Sequence, residues 1–214
     1  MCEILRRLYG RIRRLVRGES KHVPHLGIGK SRKFEIAIVI LVSDEVHNHM
    51  RRLQLDILDR CGVSSGLRTS PHITLKQGVL ESEIDRFERY FDGLVTYIEP
   101  FEICVKGIKA FEERILFLDV EPNPRLEMLR REILRDLSEK FGVEPSPFEG
   151  DQYHFHATLE YGLSKDVLAS TRDEFVNIKI EYRFVLDTLG LLVRSGNGWC
   201  TYKRARLSKP LADR

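Results

Sequence analysis

The chain has 214 residues, 42% hydrophobic and 31% charged, with a formal net charge of +3. That length suffices for one domain with a real core, or for two half-size lobes sharing one. The longest apolar run, Ile36 to Val42, is far too short to span a bilayer, which takes about 20 residues. No apolar stretch behind the arginine-rich start reads as a secretory signal. The four cysteines, Cys2, Cys61, Cys104 and Cys200, show no CxxC spacing, so a reduced cytoplasmic setting is the expectation.

Charge is unevenly placed. Residues 1–33 carry ten Lys or Arg against Glu3 and Glu19, whereas the remainder carries 25 basic and 30 acidic residues. Within that arm Ile4, Leu5, Leu8, Ile12, Leu15 and Val16 follow helical spacing, with arginines filling most of the other positions. The pattern predicts a basic amphipathic helix and then a Gly-, Pro- and Ser-bearing linker. Such an arm suits RNA, an acidic membrane surface or an acidic protein. The expected division is an arm of 1–33 and a domain of 34–214.

In that domain the pattern predicts a strand over 34–42, a helix over 44–61 closed by Gly62, a strand over 72–77, a helix over 81–96 and a strand over 101–110. The order then repeats: a strand over 114–120, a helix over 124–141 with Pro124 at its first turn and Gly142 after it, a strand over 153–161, a short helix over 165–175 and a strand over 178–187. Ser195-Gly196-Asn197-Gly198 joins a closing hairpin. A strand–helix–strand–helix–strand unit therefore occurs twice. A pseudo-two-fold between the copies would set their third elements side by side across a central cleft.

Those third elements carry one motif, His72-Ile73-Thr74-Leu75 and again His156-Ala157-Thr158-Leu159. Strand side chains alternate faces, so His72, Thr74 and Lys76 are expected on one face, and His154, His156, Thr158 and Glu160 on the equivalent one. Imidazole titrates near 6.5, so one histidine can be neutral and the other protonated. The neutral ring can accept a proton from an attacking oxygen while the protonated ring donates to a departing one. Two threonine hydroxyls can hold the non-bridging oxygens of a phosphate between them, with Lys76 adding positive charge. The set needs no metal, no cofactor and no covalent intermediate, and it fits in-line displacement at a phosphodiester, most economically a strained cyclic one.

Competing motifs are weaker. His154-x-His156 begins like a zinc site but lacks a carboxylate or cysteine at ligand spacing. Gly62–Gly66 matches GxSxG yet follows a helix rather than a strand. Gly27–Ser31 ends like a phosphate loop, but Pro24 occupies the place of its first glycine.

The paired motifs, the repeated order and the hairpin with Trp199 resemble the 2H phosphoesterase superfamily, over about residues 34–207. The resemblance implies an α+β fold of two pseudo-symmetric lobes of antiparallel sheet backed by helices, with the site in the groove between them. It implies His72, Thr74, His156 and Thr158 as the catalytic set. It also implies hydrolysis of 2',3'-cyclic phosphates at RNA or nucleotide ends, with 2'-5' RNA ligation or 2'-5' phosphodiester cleavage as the alternative; a non-catalytic RNA-binding module is the third reading. Two positions depart from common members: Lys76 stands where arginine is frequent, and His154 where an apolar or aromatic residue is frequent. Both bear on substrate choice. For gripping a base, Tyr153 and Phe148 precede the second motif, and Trp199 and Tyr202 lie on the last hairpin. Of these, Trp199 is expected to belong to the core.

Overall fold

Helix ends fall where capping chemistry sets them. The computed structural model describes residues 33–62, 65–80, 84–111, 115–150, 153–161 and 163–208. Helix α1 (Asp44–Cys61) starts at Ser43, whose hydroxyl accepts from the Val46 N–H, and stops at Gly62 with φ +67°. Helix α3 (Pro124–Phe141) starts at Asn123, whose Oδ1 accepts from the Arg125 and Leu126 N–H groups, and stops at Gly142 with φ +63°. Helices α2 (Ile84–Tyr97) and α4 (Lys165–Val176) complete the set among the described residues. None of the described helices is long and apolar enough to cross a membrane. The chain divides into residues 1–32 and Lys33–Arg214. The expected arm helix and its linker lie outside the described residues.

Eight strands form one antiparallel sheet: β1 (Phe34–Leu41), β2 (His72–Leu80), β3 (Phe101–Phe111), β4 (Ile115–Val120), β5 (His156–Tyr161), β6 (Glu181–Leu186), β7 (Thr188–Ser195) and β8 (Gly198–Arg206). Their order is β6-β3-β4-β5-β2-β1-β7-β8. The two expected lobes are the two four-stranded halves of this sheet. They meet at β5 and β2, which share the single ladder pair Ile73↔Ala157.

The duplication is present, but its strands are exchanged. After α2 the chain crosses the seam, so β3 lies beside β4 in the other half. After β6 it crosses back, so β7 lies beside β1. The spatial counterpart of β3 is therefore β7, not β6 as chain order suggests. The helices exchange too, α1 packing on β5 and α3 on β2.

One core lies between the sheet and the helices, with Ile36, Ile38 and Ile40 of β1 at its centre. On the opposite face Ala37, Val39 and Leu192 form a small second cluster, against which Leu41 and Trp199 pack. This explains why β1 is apolar on both faces. The second motif strand is shorter than expected: β5 begins at His156, and residues 153–155 approach it as irregular chain.

At the seam, backbone meets backbone. Gly66, in a 3-10 turn (Ser65–Arg68) before β2, lies so close to β5 that a Cβ there would sit 1.8 Å from the Leu159 carbonyl oxygen. Gly93, within α2, faces open space. Gly66→Ala is expected to destabilise by about 1–3 kcal/mol or more through forced displacement. Gly93→Ala should stabilise by roughly 0.5–1 kcal/mol through helix propensity. Urea denaturation midpoints of the two variants check both.

Candidate active site

The Ile73↔Ala157 pair fixes the geometry of the motif residues. Antiparallel register places His72 opposite Thr158 and Thr74 opposite His156. Ile73, Leu75, Ala157 and Leu159 are fully buried in the core, so the two histidines and two threonines share the other face. Each histidine thus stands across the seam from the other motif's threonine.

The two rings are oriented by the same device. His72 Nδ1 lies 2.7 Å from the Ser70 carbonyl oxygen, and His156 Nδ1 lies 2.8 Å from that of His154. A carbonyl only accepts, so Nδ1 carries the proton in both rings, and Nε2 is left able to accept one. Burial pushes both imidazoles below the ordinary 6.5. The carbonyl contacts oppose that shift. The charge of His156 adds to it at His72, and that of His154 adds to it at His156.

The walls differ. Beside His156, Phe111 and Phe117 stack with centroids 4.0 Å apart and turn their rings edge-on to both His154 and His156. Asp119 is the ladder partner of His156; it binds His154 Nε2 at 2.5 Å and Lys109 Nζ at 2.5 Å. His154 therefore borders the site through Asp119. Beside His72 stand Leu41, its ladder partner, and the half-buried Trp199, whose backbone N–H donates to Thr69 Oγ1. Trp199 belongs to the small cluster on this face rather than to the main core, with the Arg194 guanidinium 5.5 Å from its ring centroid.

Lys76 is not where alternation put it. Ile38 pairs with Lys76 but Val39 pairs with Thr74, so β2 bulges at Leu75. The extra residue reverses the side-chain parity. Lys76 turns into the core at 1% exposure, where its ammonium binds Glu149 Oε2 at 2.6 Å and the Glu144 carbonyl at 2.9 Å. It is absent from the cleft face. The second motif repeats the bulge: Leu116 pairs with Glu160 but Phe117 with Thr158. Glu160 turns inward, fully buried, and accepts from the Gly66 and Tyr161 N–H groups. Burial pushes its carboxyl up while those N–H groups pull it back.

Tyr153 also misses the cleft. Its hydroxyl donates to the Thr74 carbonyl at 2.9 Å, and its ring lies 3.7 Å from the Arg130 guanidinium, which also binds the Glu149 carbonyl. It braces the first motif strand from the helix side. Tyr202 binds Glu88 of α2 instead of facing the cleft. The side chain of Phe148 lies outside the described residues. Among the described residues no group of three or more His, Cys, Asp or Glu is disposed to hold a metal ion. Sequence reasoning missed Phe111, Phe117 and Asp119. The signal was Asp119, a lone carboxylate in an otherwise apolar strand.

A family model described as the 2'-5' RNA ligase superfamily matches residues 42–198, and the chain belongs to that superfamily, the 2H phosphoesterases. No protein of curated function matches it in sequence. Among solved structures, E. coli LigT complexed with 3'-AMP is 15% identical with a TM-score of 0.57, over 83% of this chain and all of that one. Apo E. coli LigT is 14% identical with a TM-score of 0.53, over 84% of this chain and all of that one. A protein described as a phosphoesterase is 15% identical with a TM-score of 0.52, over 82% of this chain and 99% of that one. These likenesses show a shared fold.

Lys76→Met removes the cation and leaves the Glu149 carboxylate buried. The expected loss is about 3–5 kcal/mol, and adding Glu149→Gln should restore a large part of it. Chemical denaturation of the single and double variants measures the difference.

Proposed function

We propose that the chain is a metal-independent phosphodiesterase that opens 2',3'-cyclic phosphates at RNA or nucleotide ends. One observation carries the reading: two imidazoles of fixed tautomer, each with Nε2 free, face each other's threonines across one seam. In this mechanism water attacks phosphorus and its proton passes to the neutral Nε2. The bond from phosphorus to one ribose oxygen breaks, and the protonated Nε2 of the other histidine supplies that oxygen's proton. A phosphomonoester and a free hydroxyl result. Thr74 and Thr158 donate to the non-bridging oxygens, whose charge grows in the transition state. The resemblance to LigT-type folds supports a nucleotide in this groove.

The superfamily's description favours one second reading. A ribose 5'-hydroxyl replacing water in the same displacement joins two strands through a 2'-5' linkage, and cleavage is its reverse. Incubation with 2',3'-cyclic mononucleotides and with 2'-5'-linked oligomers, in EDTA and with product analysis, separates the two. Turnover that EDTA abolishes and a divalent ion restores would exclude the proposed mechanism.

His72→Ala and His156→Ala are expected to lower turnover by about 10²–10⁴-fold each. His154→Ala, acting only from the border, should cost far less. One protonated and one neutral histidine must coexist, so kcat/KM should follow a bell in pH. Both pKa values are shifted down, so its maximum should lie on the acid side of 6.5. Steady-state kinetics of the four proteins across pH 4–8 decide these points.

A further inference from the structure

The reacting quartet obeys the pseudo-two-fold, but the surface beside it does not. On strands β1, β2, β7 and β8 there are five cations and one carboxylate, Glu35; of the cations Lys76 is buried against Glu149 and Lys203 is paired with Glu88 and Asp92, which leaves Arg194, Arg204 and Arg206. Strands β3 to β6 hold three cations and four carboxylates. Each of those three cations is paired: Lys106 with Glu121 and Glu181, Lys109 with Asp119, Arg183 with Glu102 and Glu181. Arg194, Arg204 and Arg206 are exposed and, among the described residues, pair with no carboxylate.

Ladder register aligns these arginines with the site. Thr74 pairs with Val39, Val39 with Gly190, and Gly190 with Arg204. The neighbouring row runs from His72 to Leu41, and at the far edge Thr188 pairs with Arg206. Three strand spacings of about 4.8 Å put Arg204 roughly 14 Å from Thr74. Arg204 and Arg206 stand two residues apart on an edge strand, about 6.8 Å. The floor between is apolar: the half-buried Leu41 lies over Gly190, whose absent Cβ would press on Leu41 and Val39, and Val39 and Gly190 are themselves buried. In the other half the equivalent row runs from Thr158 to Phe117 to Lys109. There the floor is filled by the Phe111–Phe117 stack, and the cation is tied to Asp119.

We infer that this half-sheet is the path of a single-stranded RNA chain, running 5'-ward from the terminal nucleotide in the cleft to backbone phosphates at Arg204 and Arg206. The inference rests on the proposed reaction, because a terminal cyclic phosphate in the quartet leaves the rest of the strand only its 5' side. Ribose and base lie over Leu41. Arg194, held over Trp199, adds charge at the other end of β8. Among the described residues the strands of the opposite half, β3 to β6, hold no unpaired cation, so the symmetric pair of histidines receives an asymmetric substrate.

The test uses the full chain in three forms: wild type, Arg204→Gln/Arg206→Gln, and the mirror control Lys106→Gln/Arg183→Gln. Binding is measured by fluorescence anisotropy with an eight-nucleotide RNA ending in a 3'-phosphate, which is not turned over, across a salt series. Hydrolysis is measured on the same RNA with a cyclic end and on a cyclic mononucleotide. The arginine variant should bind the RNA about tenfold more weakly, and its salt slope should flatten by about 1.4, for two lost single-strand contacts. Its preference for cyclic-ended RNA over the mononucleotide should fall by the same factor. The control should match wild type. Unchanged affinity and slope in the arginine variant would overturn the path, as would an equal loss in the control or anionic vesicles binding through these arginines in place of RNA. If the mononucleotide is not hydrolysed by wild type, the proposed reaction fails, while the anisotropy comparison still decides the path.

Discussion

Two buried ionisable side chains hold the site together, and each serves the other half of the sheet. The bulges at Leu75 and Leu159 turn Lys76 and Glu160 away from the cleft, into a medium where an ion without a partner is costly. The partners come from the turn that precedes the opposite motif strand. Lys76, on the first motif strand, grips Glu149 just ahead of the second. Glu160, on the second, accepts from Gly66 just ahead of the first. Only one ladder pair joins β2 to β5, so backbone hydrogen bonding alone would leave the seam weak. These reciprocal anchors, with Gln54 Nε2 donating to the Leu159 carbonyl and Tyr153 to that of Thr74, tie each motif to its counterpart.

Much of this was legible in the sequence. Helix ends could be read because Ser43, Gly62, Asn123, Pro124 and Gly142 act through local chemistry. The repeat could be read because the two motifs sit at equivalent places in it. What could not be read depends on partners distant in the chain. Counting alternate residues put Lys76 beside Thr74, which holds for an unbroken strand, and nothing in the local sequence marks the bulge that reverses it. Tyr153 looked like a platform for a base, yet its hydroxyl is used by a strand 79 residues away. The match between β3 and β7 is a property of the sheet order, which chain order hides.

Symmetry and its loss divide the labour of the sheet. The motif residues, the Nδ1 contacts and the inward-turned ionisable side chains occur twice, as suits the proposed reaction with an acid and a base of one kind. The surroundings do not. Asp119, Phe111 and Phe117 line one side, Leu41 and Trp199 the other. Identical groups can thus take different roles because their neighbours differ, although burial shifts both histidines in the same direction.

The exchange of β3 and β7 across the seam has a consequence for any attempt to divide the molecule. Cutting the chain between β3 and β4 would leave an N-terminal fragment with β1 and β2 lacking β7 and β8, and with β3 stripped of both its neighbours. Such a fragment could fill its sheet only by lending β3 to a second chain and borrowing a strand in return. The smallest self-sufficient form of one repeat is therefore an intertwined pair, with its motif histidines and threonines gathered on the axis relating the two chains.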